Sequence, residues 1–126
     1  MFLFVAVPAR AEHEPNHRFV LIGYVKDAKG KPLEGALVEV VRVKTGLLYR
    51  ETSDRDGFYV IIVHLHDEDL GDSLEVSTRG RSATVKAEFN PKDSTTERGT
   101  RIDFVGQKIE ERRSWFSATL KAFLAK

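Results

Sequence analysis

Along most of this chain apolar residues recur at every second position, the period of a strand. Over residues 19–26, Phe19, Leu21, Gly23 and Val25 share one face, and Val20, Ile22 and Tyr24 share the other. Both faces are apolar, so this strand is expected to be covered on both sides. Further strands are predicted over 36–43, 47–52, 58–66, 73–78, 81–89 and 101–105. The stretch 58–66 is the most β-prone, dense in Val, Ile, Tyr and Phe. Tyr59 and Ile61 fall on the face assigned to the core. Phe58, Val60 and Ile62 fall on the opposite face, which needs a cover of its own.

Turn residues separate these runs. Asp27 to Gly30 supplies a tight reversal: Asp bonds its own backbone two residues on, and Gly accepts positive φ. Pro32 then fixes φ and keeps Lys31 extended, and Gly35 lets the chain pivot into the next strand. Asp56-Gly57 forms a second strong reversal. Seven short strands at spacings of about 8–12 residues predict an all-β fold, a seven-stranded antiparallel sandwich of Ig-like type.

The period changes in the last segment, 107–126. Ile109, Phe116, Leu120, Phe123 and Leu124 form a helical stripe. Ser114 could cap a helix beginning at Trp115, or the helix could begin near Lys108. The segment is net basic, with Lys108, Arg112, Arg113, Lys121 and Lys126 against Glu110 and Glu111. A helix of this length is marginal alone in water, so its apolar stripe needs a receiver. Phe116, Leu120 and Phe123, with Trp115 beside them, either cover the outer sheet face or dock to a protein partner or a membrane surface.

At 126 residues the chain has room for one core, placed at residues 19–106 between an unstructured linker at 12–18 and the helical tail. A net charge of +1 provides no field for nucleic acid. The absence of Cys excludes disulfides, a thiolate nucleophile and a Cys-based zinc site. No apolar run reaches the length of a transmembrane helix. Residues 2–7 are apolar, and Ala9-Arg10-Ala11 follows as a small-x-small pattern. Residues 1–11 therefore read as the remnant of a secretory signal whose true start lies upstream, and the expected location is secreted or periplasmic. The alternative is an ordinary frayed terminus.

The run Gly23-Tyr-Val-Lys-Asp-Ala-Lys-Gly-Lys-Pro-Leu-Glu-Gly-Ala-Leu-Val-Glu-Val, followed by Thr52-Ser-Asp-Arg-Asp-Gly-Phe-Tyr-Val-Ile, resembles the carboxypeptidase regulatory-like domain. The pattern covers roughly residues 20–105, with two separate glycine turns in register. The resemblance implies a transthyretin-like, prealbumin-type β-sandwich and a non-catalytic module common in secreted and periplasmic bacterial proteins.

Transthyretin-like folds also host hydroxyisourate hydrolases. Those enzymes carry a His in the first strand, an Arg in the body and a C-terminal Tyr-Arg-Gly-Ser. Here Tyr24 occupies the position of that His, and the chain ends Phe123-Leu-Ala-Lys. A hydrolase relative that has lost its catalytic residues is the alternative reading. A third possibility is a metal-binding periplasmic protein. His64 and His66 lie at i and i+2, so their rings share a face and could chelate Zn²⁺ or Cu²⁺ with Asp67 as third ligand. The bland reading is two exposed histidines beside a solvated acidic loop, with His17 left in the tail and outside any site. The leading expectation is a binding or assembly module without cofactor or small-molecule substrate. It would work through Phe58, Val60 and Ile62 on the sheet, or Trp115, Phe116, Leu120 and Phe123 on the tail.

Overall fold

The computed structural model describes residues 14–126; the expected signal remnant at 1–11 and residues 12 and 13 of the expected linker lie outside them. The described chain opens with a 3-10 turn, Pro15–His17, and then runs through eight strands. These are β1 (Arg18–Lys26), β2 (Leu37–Arg42), β3 (Leu47–Thr52), β4 (Phe58–His64), β5 (Ser73–Thr78), β6 (Arg81–Lys86), β7 (Gly99–Val105) and β8 (Lys108–Glu111). Helix α1 (Phe116–Leu124) closes the chain. One sheet has the order β4-β1-β7-β8 and the other β3-β2-β5-β6.

The inner faces of the two sheets share one core. Phe19 and Leu21 of β1, Tyr59 and Ile61 of β4, and Val38 and Val40 of β2 are all buried in it. Alternation along β4 is what sends Tyr59 and Ile61 inward and Phe58 and Val60 outward, as the sequence predicts. Each such side chain contributes roughly 1.5–3 kcal/mol through the area it removes from water. Burial on both faces of β1 is also present: Val20 and Ile22 are buried on the side away from the core.

Four features of the expected fold are corrected. The strands number eight among the described residues, because Lys108–Glu111 is a strand and not the start of the tail helix. Ile109 stands opposite Phe104 across the β7–β8 hairpin and packs against the core. A four-residue strand is too short to display its period. The sheets are not wholly antiparallel: β1 pairs with β7 in parallel, with Ile22 opposite Arg101 and Val25 opposite Phe104. After β6 the chain crosses from one sheet to the other and enters β7 in the direction of β1, where the Val20 N–H donates to the Arg98 carbonyl at 2.8 Å. The helix begins at Phe116, preceded by a 3-10 turn, Arg113–Trp115, in which Ser114 makes no capping hydrogen bond. The expected linker at 12–18 likewise contains the 3-10 turn, and Arg18 already belongs to β1.

Both glycine turns form. Asp27 Oδ1 accepts the Lys29 and Lys31 N–H groups at 2.9 Å each, Gly30 has φ of 86°, and Pro32 bridges to Lys26. Gly35 is also left-handed. In the second turn the capping carboxylate is Asp54: its Oδ1 accepts the Asp56 N–H at 2.8 Å and the Phe58 N–H at 3.0 Å. Asp56 itself faces Lys126 Nζ at 3.8 Å. Gly57 has φ of 78°, and a Cβ there would stand 2.5 Å from the Val25 carbonyl oxygen.

Candidate functional site

The outer face of the β4-β1-β7-β8 sheet is where apolar surface and charge meet. Val20, Ile22 and Phe58 point out of this sheet and are covered by α1. Phe116, Leu120 and Phe123 are spaced at i, i+4 and i+7, which puts them on one side of a helix. Phe116 is 4% exposed, and Leu120 and Phe123 pack partly buried against the same cluster. The Phe123 ring lies 5.0 Å from the Phe58 ring, and Phe58 lies 5.0 Å from Tyr24. Val60 joins the cluster, but the helix does not reach Ile62, which stays 53% exposed. In this conformation the tail therefore caps the sheet, and Phe58, Phe116, Leu120 and Phe123 are engaged within the molecule.

Beside this seam β7 presents charge. Arg101 and Asp103 point out of the sheet while Ile102 and Phe104 point into the core. Asp103 is 2% exposed. It receives Arg101 Nη2 at 3.0 Å, Arg112 Nη1 at 2.7 Å and the Tyr24 N–H at 3.1 Å. Burying that carboxylate is tolerable because it is paired and hydrogen-bonded on several sides. Arg101 also donates to Thr119 Oγ1 on α1 at 2.9 Å, which ties the helix to β7. The Trp115 ring sits under two guanidiniums, 4.6 Å from Arg112 and 5.2 Å from Arg101. Trp115 remains 49% exposed.

Between helix and sheet this leaves an open cleft of about 420 Å³. Its walls are Tyr24, Phe58, Trp115 and Phe123, with Arg101 and Lys126 as the cations along it. Sequence reasoning placed Phe58, Trp115 and Phe123 in a contact surface but did not find Arg101, Asp103, Arg112 or Tyr24. An Arg-x-Asp pair inside a strand reads as a solvated face, and nothing local says that Arg112 folds back onto it.

The second cluster is built from histidines. His64 Nε2 and His66 Nε2 are 2.9 Å apart, with the rings edge to face. The His17 ring also stands edge to face with His66, at 4.8 Å, although the sequence left His17 outside any site. Register brings the two rings together: Arg18 pairs with His64, and the Leu65 N–H donates to the His17 carbonyl at 3.2 Å. Asp67 lies next to the cluster, with its Oδ1 2.8 Å from Nη1 of the buried Arg98. Asp69 Oδ2 accepts the His66 N–H at 2.9 Å, and Asp69 Oδ1 accepts from Arg42 at 2.8 Å. Burial alone would raise the Asp69 carboxyl, but the His66 N–H and the Arg42 charge more than offset it and hold it below its ordinary value. Among the described residues no three His, Asp or Glu side chains close around a common point, and no helix is long and apolar enough to cross a membrane.

No family model matches this chain, and no curated protein does. Among solved structures it is similar to the dioxygenase domain of a dioxygenase–carbohydrate-binding protein fusion from Streptomyces sp. SirexAA-E, at 17% identity and a TM-score of 0.44, over 74% of this chain and 81% of that one. It is also similar to 3-chlorocatechol 1,2-dioxygenase from Rhodococcus opacus 1CP, at 12% identity and a TM-score of 0.40, over 79% of this chain and 58% of that one. Catechol 1,2-dioxygenase from Acinetobacter sp. ADP1 follows at 18% identity and a TM-score of 0.38, over 71% of this chain and 45% of that one. Likeness at this level carries no argument about what the chain does.

Proposed function

We propose that this chain is a non-catalytic, secreted or periplasmic binding module of the carboxypeptidase regulatory-like type, and that it receives a protein partner at the seam between α1 and the sheet. The observation that carries this reading is the cleft walled by Tyr24, Phe58, Trp115 and Phe123 with Arg101 and Lys126 beside it. A half-exposed Trp stacked with two guanidiniums is an anchor that loses little entropy on contact. The partner segment would offer an apolar side chain to the cleft and an acidic residue to its cations.

Two four-stranded sheets and the two glycine turns support the prealbumin-type assignment. Tyr24, at the position where a hydroxyisourate hydrolase carries its His, serves here as a wall ring against Phe58. Membrane docking through the helix would require Phe116 to leave its buried seat.

The test is site-specific photo-crosslinking in extract of the native host's periplasm. A crosslinker replacing Trp115 should trap one defined protein. A crosslinker replacing Thr84, an exposed residue of β6 on the other sheet, should not. The proposal fails if both positions trap the same species. It fails equally if the wild-type chain instead co-sediments with anionic phosphatidylglycerol vesicles and Trp115→Ala abolishes that binding.

A further inference from the structure

We propose that His64 and His66 form a two-nitrogen pincer for Cu²⁺. The separation of their Nε2 atoms, 2.9 Å, is the first observation. Two nitrogens bound cis to one ion at bonds of about 2.0–2.1 Å stand about 2.8–3.0 Å apart at a right angle, and about 3.3–3.4 Å apart at a tetrahedral angle. A single ion can therefore reach both nitrogens, and at a pair of imidazoles Cu²⁺ is held more tightly than Zn²⁺.

The second observation is that the backbone of both histidines is held by side-chain hydrogen bonds. The His64 N–H donates to the Tyr49 hydroxyl at 3.2 Å, and the His66 N–H donates to Asp69 Oδ2. The His17 ring buttresses His66 edge-on, and the buried Arg98 ties this corner together by holding Asp67 Oδ1 and donating to the Asn16 carbonyl. Backbone held in this way leaves only the two imidazole rings to be oriented when the ion arrives. His64 is exposed, so the ion has an open approach, and water completes its coordination. Without the ion, one imidazole donates to the other and the same 2.9 Å contact is a hydrogen bond. Binding of the ion needs both Nε2 atoms bare, so that proton passes to Nδ1 of the same ring and the imidazole stays neutral.

The experiment is a calorimetric titration of the full, untagged chain with Cu²⁺ and, separately, with Zn²⁺, together with the electron paramagnetic resonance spectrum of the copper-loaded protein. One saturable copper site is expected, tighter than zinc, with a tetragonal spectrum showing coupling to imidazole nitrogen. His64→Ala and His66→Ala should each weaken it about tenfold or more. Circular dichroism melts of the variants confirm that they fold. Absence of a saturable site overturns the proposal. So does equal or tighter zinc binding, and so does a site that survives both pincer substitutions.

Discussion

The Phe116 ring lies on the bare backbone of Gly99: a Cβ at that glycine would overlap the ring and the Val20 carbonyl oxygen. The helix is thus seated where β7 has no side chain, at the point where β7 starts to run beside β1. Gly99→Ala is expected to unseat Phe116 and destabilise the domain by about 1–3 kcal/mol. Trp115 fluorescence should report a wetter environment, and the melting temperature should fall by several degrees. Combining it with Phe116→Ala should cost less than the two changes added, because both remove one contact. Strict additivity in the double variant would show that the contact does not seat the helix.

Gly57→Val should be more damaging. The residue would have to hold φ of 78° and push its Cβ to 2.5 Å from the Val25 carbonyl oxygen. The backbone conformation alone costs about 1–2 kcal/mol for a side chain with a Cβ, and the clash with backbone adds to it. Loss of the cooperative thermal transition, or a drop of many degrees, is the expected result in calorimetry. A melting curve like the wild type's would mean that this turn does not hold β4 in place.

Removing the buried carboxylate should release the helix by a different route. Asp103→Ala leaves Arg101 and Arg112 without their shared partner, and the Tyr24 N–H loses its acceptor. A loss of about 2–4 kcal/mol is expected, moderated by the partial exposure of both guanidiniums. Denaturant unfolding measures it. Because charge and not volume is at issue, Asp103→Asn should recover only a fraction of the loss.

Alkaline pH should weaken the fold through Tyr59. Burial pushes its phenol well above the usual value, and the nearby Asp103 charge adds to the shift. Its hydroxyl donates to the Ile102 carbonyl at 2.7 Å. In the unfolded chain the phenol deprotonates near its ordinary value of about 10. The raised value in the folded state means that the proton stabilises the fold: the contribution is complete below about pH 10 and is lost as pH climbs toward the folded value. Tyr59→Phe should cost about 1–3 kcal/mol at neutral pH by leaving the carbonyl unpaired. The same variant should show a shallower decline in melting temperature above pH 10. An unchanged slope would exclude Tyr59 as the alkaline trigger.

Much of the architecture follows from local chemistry. Period-two runs with Gly, Asp and Pro between them place β3 and β5 at their observed bounds, and the two apolar faces of 19–26 already demand a cover on both sides. The i, i+4, i+7 set of Phe116, Leu120 and Phe123 marks an apolar stripe that can supply that cover, and the tertiary structure decides that it does so rather than facing outward. These features are readable because turn geometry and burial act on neighbours in sequence. The direction of β7, the strand at Lys108–Glu111 and the roles of Arg101, Asp103 and Arg112 are decided only by the tertiary structure. So is the meeting of His17 with His66. Each depends on residues far apart in the chain arriving at one place: a parallel pairing, a four-residue strand and a shared carboxylate leave no repeating pattern along the sequence, because the partner that makes them favourable lies elsewhere.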